Sequence, residues 1–121
     1  MTISFEFFPP RNDEQALILR STWQKLARLE PRYLTVTFGA GGSAQDATLK
    51  TVEELLVSAE SPVAAHISCM APGIAMLDDL LDRYRDSGVN RLVVLRGDLP
   101  ESVDFDPPFH YANELVAHVR D

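Results

Sequence analysis

The sequence predicts a parallel α/β fold, a (βα)4 segment that amounts to the first half of a TIM-type (β/α)8 barrel. Two observations carry this reading. Four β-like runs, Ile3 to Phe8, Tyr33 to Phe38, Val63 to Ser68 and Arg91 to Leu95, start 30, 30 and 28 residues apart, and helical apolar stripes lie between them. A third observation, polar residues alternating with apolar ones in the first two runs, bears on which parallel fold it is. At 121 residues and 45% hydrophobic content the chain is apolar enough to bury one core.

Taken in order, the first run alternates Ser4 and Glu6 with Phe5 and Phe7, and Pro9 and Pro10 end it because proline cannot donate to a strand ladder. Asn12 or Asp13 can cap a first helix whose stripe is Leu19, Trp23 and Leu26. The second run alternates Leu34 and Val36 with Thr35 and Thr37. It passes through Gly39-Ala40-Gly41-Gly42 to Ser43, which with Asp46 resembles a capping box for a helix carrying Leu49, Val52 and Leu56. The third run leads to a helix with Ile74, Leu77, Leu81 and Tyr84, for which Gly88 is the stop. After the fourth run, a loop with Pro100, Pro107 and Pro108 precedes a last helix over about 111–120.

Two architectures accept four βα units. A doubly wound, flavodoxin-like sheet closes at about this length with five strands, whereas a β/α barrel needs eight strands and about 250 residues. Length favours the open sheet. The alternation favours the barrel, because strands covered on both faces read as continuous apolar runs, while a barrel mouth tolerates polar side chains facing inward.

Composition narrows the partners. With 18 acidic against 11 basic residues the net charge is −7, which repels phosphate backbones and anionic membrane surfaces, so nucleic acid and membrane partners are not expected. A local cationic site can still hold an anionic cofactor. Cys69 is the only cysteine, which excludes an intrachain disulfide and reads as a small buried thiol. Thr2, Ile3 and Ser4 run straight into an aromatic strand with no basic segment before an apolar one, so an unexported, cytoplasmic chain is expected.

Several residues carry candidate chemistry. Glu6, placed among aromatic residues, is expensive to ionise and suits a general acid; the alternative is an edge-strand glutamate facing water. The glycine-rich turn at 39–42 can bring backbone N–H groups and a helix N-terminus to a phosphate or polar ring edge, though tight βα turns use glycine anyway and the pattern fits neither the P-loop nor the dinucleotide fingerprint. His66 is a strand histidine open to a core or a ligand role, and His110 and His118 are expected on the surface. No metal-ligand spacing appears. Arg96-Gly97-Asp98 follows the fourth strand, where barrels place their active sites, and can equally be a plain turn. An integrin-type reading of that tripeptide is poor, since it follows an apolar strand.

Ser4-Phe5-Glu6-Phe7-Phe8-Pro9-Pro10, Val36-Thr37-Phe38-Gly39-Ala40-Gly41-Gly42-Ser43, the His66 strand and Leu95-Arg96-Gly97-Asp98-Leu99-Pro100, in this order and spacing, together resemble the methylenetetrahydrofolate reductases. The resemblance spans residues 1–121 as the N-terminal half of that family's barrel domain. It implies an enzyme that takes hydride from NAD(P)H onto FAD and reduces 5,10-methylenetetrahydrofolate to 5-methyltetrahydrofolate, a step of one-carbon metabolism and methionine biosynthesis. It implies that Glu6 is the acid that assists opening of the five-membered ring, and that Asp98 contacts the folate and modulates the flavin potential. Thr37, His66, Arg96, Gly97, Asp98, Tyr111 and Ala112 match positions lining the FAD site. One departure is Gln45, where the family often has arginine. Another is that four of eight βα units are expected to be missing, which would leave the first and fourth strands with unpaired edges. A homo-oligomer, or pairing with the missing C-terminal half, is therefore expected. The alternative from another class is a noncatalytic half-barrel module that dimerises or binds a partner; a flavodoxin-like electron carrier is a third reading.

Overall fold

A computed structural model describes residues 1–38, 44–98 and 106–121, without the side chains of Ala44 and Gln45. The glycine turn, the Ser43 cap, the Gln45 side chain, and Leu99 and Pro100 therefore lie outside the described residues. Four strands, β1 (Ser4–Phe7), β2 (Tyr33–Val36), β3 (Val63–Ser68) and β4 (Leu92–Leu95), alternate with helices α1 (Asp13–Leu26), α2 (Ala44–Ser58), α3 (Ile74–Asp86) and α4 (Ala112–Arg120). A 3-10 turn, Ala27–Leu29, extends α1. Strands β1, β2 and β4 are shorter than the apolar runs that announce them, and Tyr111 is the N-cap of α4 rather than its first residue.

The strands are parallel and stand in the order β1-β2-β3-β4. That order settles the architecture. A doubly wound sheet reverses its strand order at a switch point, whereas sequential order with right-handed crossovers keeps every helix on one side. The core agrees: Phe7, Leu34, Val36, Val63, Ala65 and Ile67 from one face of the sheet form a single cluster with Trp23, Leu49, Val52, Leu55, Leu77, Leu80, Tyr84 and Leu115 from all four helices. The other face carries Ser4, Glu6, Thr35, Ala64, His66 and Ser68, as a barrel interior would. This is an α/β (βα)4 arrangement of the half-barrel kind.

Local signals explain the elements. Asn12 caps α1, its side chain accepting from the Gln15 N–H at 2.8 Å. Beyond α3, Gly88 adopts φ +94° and its N–H donates to the Arg85 carbonyl at 3.0 Å, which is the expected glycine stop. The predicted stripes are not buried evenly, and Leu19, Leu26 and Leu81 are only partly buried. Ile74 is exposed and Leu80 lies in the core instead; in α2, Leu55 is the deeper residue and Leu56 only half-buried. Polar links join neighbouring helices: Arg83 to Asp46 at 3.2 Å between α3 and α2, and His118 to Asp78 at 2.6 Å between α4 and α3. His118 is thus half-buried and tilted against Phe109 rather than free on the surface. No helix among the described residues is long and apolar enough to cross a membrane.

Candidate active site at the strand ends

All strands run the same way, so their C-terminal ends share one rim, and Glu6, Thr37, His66, Arg96, Gly97 and Asp98 sit at or near it. Register decides which of them meet. Glu6 stands directly opposite Thr35, and Thr35 opposite Ala64, two residues before His66 on the same face of β3. The result is a three-membered group. The Thr35 hydroxyl donates to Glu6 Oε1 at 3.3 Å, and His66 Nε2 lies 3.2 Å from the same oxygen.

The environment of Glu6 differs from the sequence expectation. Its side chain is 56% exposed, because Phe5 and Phe7 alternate onto the helix-covered face while Glu6 points to the open one. The flanking aromatic residues do not desolvate it; its neighbours are polar. His66 carries the burial instead. Its side chain is 6% exposed; Nε2 lies beside the Glu6 carboxylate without an aligned hydrogen bond, neither ring nitrogen having an aligned partner among the described residues, and the two form a charge pair only when the ring is protonated. Burial lowers the His66 pKa, and the Glu6 carboxylate only partly offsets it. His66 is therefore neutral near pH 7, with one ring nitrogen a donor and the other an acceptor. Its backbone is pinned from behind, where the buried Tyr84 hydroxyl donates to the His66 carbonyl at 3.0 Å. Burial also raises the Tyr84 pKa, so that phenol stays protonated.

A second group forms where the chain leaves β4. Gly97 has φ +78°, and a Cβ there would fall 2.2 Å from Ser68 Oγ and 2.8 Å from Met70 Cγ, so any side chain would be strained and would displace both neighbours. Ser68 Oγ in turn accepts from the Met70 N–H at 3.1 Å and donates to the Arg96 carbonyl at 3.5 Å. The turn is thereby laid across the end of β3. Arg96 projects from it with its guanidinium carbon 5.7 Å from the Tyr111 ring centre, a cation–π contact. Tyr111 does not cap α4 with its own side chain; the Glu114 carboxylate takes the N–H groups of His110 at 2.8 Å and Tyr111 at 3.1 Å. Ala112 opens α4, and Asp98 is exposed at the end of the described turn.

Thr37 lies just past β2. Its N–H donates to the Phe7 carbonyl and its carbonyl accepts from Thr48 Oγ1, both at 2.9 Å, so its backbone fastens the β2 end to β1 and α2. Cys69 is fully buried with its pKa raised, first by burial and then by Glu114, and is an inert thiol. Strand β3 joins the two groups, presenting His66 to one and Ser68 to the other. Thr35 and Ser68 are the members that sequence reading left out. The signal for each was present: both sit on the polar, inward parity of their strands.

Comparison with known proteins bears on what this rim does. The methylenetetrahydrofolate reductase family model matches residues 1–121. The 5,10-methylenetetrahydrofolate reductases of Pectobacterium carotovorum subsp. carotovorum and of Escherichia coli (strain K12) are each 31% identical over 121 residues, covering 100% of this chain and 40% of the relative. Methylenetetrahydrofolate reductase (NADH) 1 of Arabidopsis thaliana is 31% identical over 121 residues, covering 97% of this chain and 20% of the relative. The chain thus spans 40% of the length of the bacterial relatives it matches.

Proposed function

This chain belongs to the methylenetetrahydrofolate reductase family, and from that premise we propose that it supplies the acid and part of the cofactor cradle for FAD-dependent reduction of 5,10-methylenetetrahydrofolate by NAD(P)H, the chemistry belonging to the complete barrel. The observation that carries the reading is Glu6 on the open face, with one carboxylate oxygen engaged by Thr35 and His66 and the side chain still accessible.

The residues present suit a flavin. Of the two buried ring nitrogens of His66, Nε2 lies against Glu6, and Nδ1 is the polar atom without a partner among the described residues that a polar ring edge would satisfy. Gly97 keeps side-chain bulk away from the rim, and Arg96 offers a permanent positive charge for an anionic cofactor. When bound, FAD would supply the hydride chemistry. The chain's own part is placement and proton control. Glu6 gives a proton to the folate ring nitrogen as the five-membered ring opens, and Asp98, exposed beside Gly97, contacts the folate and sets the local negative charge. Thr37 and the Tyr111–Ala112 helix start line the same end of the sheet.

The test is Glu6→Gln in a barrel completed with the C-terminal portion of a bacterial relative. Folate reduction should be abolished while NAD(P)H oxidation by the flavin continues; equal loss of both half-reactions would sink the acid assignment. A noncatalytic assembly module is favoured by one observation, the open edges of β1 and β4, which among the described strands pair only with β2 and β3. It predicts a stable oligomer that retains no FAD on gel filtration.

A further inference from the structure

We infer that Thr35 is the positioning residue of Glu6: its hydroxyl, with the His66 ring alongside, occupies Oε1 and leaves Oε2 as the oxygen that meets the substrate. The inference rests on the acid role proposed above and deepens it, since it says which oxygen carries the proton and what holds the other.

Thr35 is 6% exposed, so its hydroxyl is largely withdrawn from water and is stabilised by a partner within the protein. Valine has nearly the same shape and a strong preference for strands, and it would fill this place without a polar atom to satisfy. The partner supplied is Glu6 Oε1 at 3.3 Å. Register makes the pairing systematic, because Glu6 and Thr35 are direct neighbours in adjacent parallel strands and their side chains share a face. His66 Nε2 lies 3.2 Å from the same oxygen. A carboxyl held this way at one oxygen keeps its proton on the other, pointing along a fixed direction. Thr35 touches neither substrate nor cofactor in this scheme; it acts through Glu6.

The 121-residue chain itself provides the test, by NMR titration of the His66 imidazole nitrogens. Glu6 of β1 is the charged group facing that ring; β2 presents Thr35, β4 presents Val93, and Tyr84 of α3 addresses only the backbone carbonyl. Glu6→Gln should move the His66 titration to lower pH, because the one group that favours the charged ring is gone. Thr35→Val should move it in the same direction, since an unheld carboxylate swings into solvent, and Thr35→Ser should restore the parent curve. Thr35→Ala repeats the measurement if the valine variant does not fold. A Thr35→Val or Thr35→Ala curve that overlays the parent while Glu6→Gln shifts overturns the inference. So does a Glu6→Gln variant with no shift, which would remove Glu6 from the ring. Neither FAD nor folate enters the measurement, so loss of the proposed activity and loss of this positioning role are read separately.

Discussion

Replacing Gly97 by alanine isolates what the β4 turn demands of its backbone. At φ +78° an L side chain costs about 1–2 kcal/mol. The added Cβ also falls 2.2 Å from Ser68 Oγ, which must rotate away and give up its contacts with the Met70 N–H and the Arg96 carbonyl, together about 0.5–1.5 kcal/mol. The sum, roughly 1.5–3.5 kcal/mol, lowers the folded-to-unfolded ratio about 10- to 300-fold. Gly88→Ala is the internal control. Its φ is +94° but nothing lies within 4 Å of an added Cβ, so it bears the conformational part alone. Urea unfolding at fixed protein concentration, followed by fluorescence of the single, buried Trp23, measures both. Gly97→Ala should be the more destabilised, and a Ser68→Ala background should remove the part of the excess that Ser68 causes, leaving the shared part and the approach to Met70 Cγ at 2.8 Å. Equal losses in the two variants would refute the claim that Ser68 closes the space over the turn, and a loss below about 0.5 kcal/mol for Gly97→Ala would refute the conformational argument as well.

Three further outcomes follow from the same geometry. Because His66 titrates below its ordinary 6.5 in the folded chain, the unfolded chain takes up that proton first as pH falls. Stability should therefore decline below about pH 6.5 until folded His66 protonates, with no contribution from this group above it, and His66→Gln should flatten that part of the curve measured by urea unfolding at stepped pH. Tyr84→Phe removes the 3.0 Å hydrogen bond to the His66 carbonyl and should cost about 1–2 kcal/mol with little change in shape, by the same unfolding assay. In a completed, flavin-loaded barrel, Asp98→Asn should weaken folate binding and raise the flavin potential, read by potentiometric titration; an unchanged potential would remove the electrostatic part of the Asp98 assignment.

Much of the fold was legible because each element announces itself locally. Asn12 and Gly88 mark helix ends by side-chain and backbone chemistry that needs no tertiary context. The spacing of the runs was more deceptive. Their starts repeat at 30, yet the register pairs Ser4 with Tyr33 and Glu6 with Thr35, an offset of 29. Aligning the runs by their starts would set Glu6 opposite Val36 and on the wrong side of its neighbour, since a one-residue slip exchanges the faces of a strand. Parity within each strand, rather than the interval between strands, was the dependable guide.

The same point explains why Glu6 was misplaced among aromatic residues. Sequence neighbours in a strand are the residues a side chain is least able to touch, because they face the other way. Phe5 and Phe7 belong to the helix-packed core and edge, with Phe7 meeting Trp23 edge-on at 6.4 Å, whereas Glu6 shares its face with residues 29 and 60 positions further on. Which residues surround a barrel carboxylate is thus decided by the strands beside it and by whatever covers the inner face. Here the strands beside it contribute a buried threonine and a buried neutral histidine, both on one oxygen. A group so held can present its free oxygen in a constant direction while remaining open to a ligand, and that combination of fixed orientation with access is what proton delivery to a bound substrate requires.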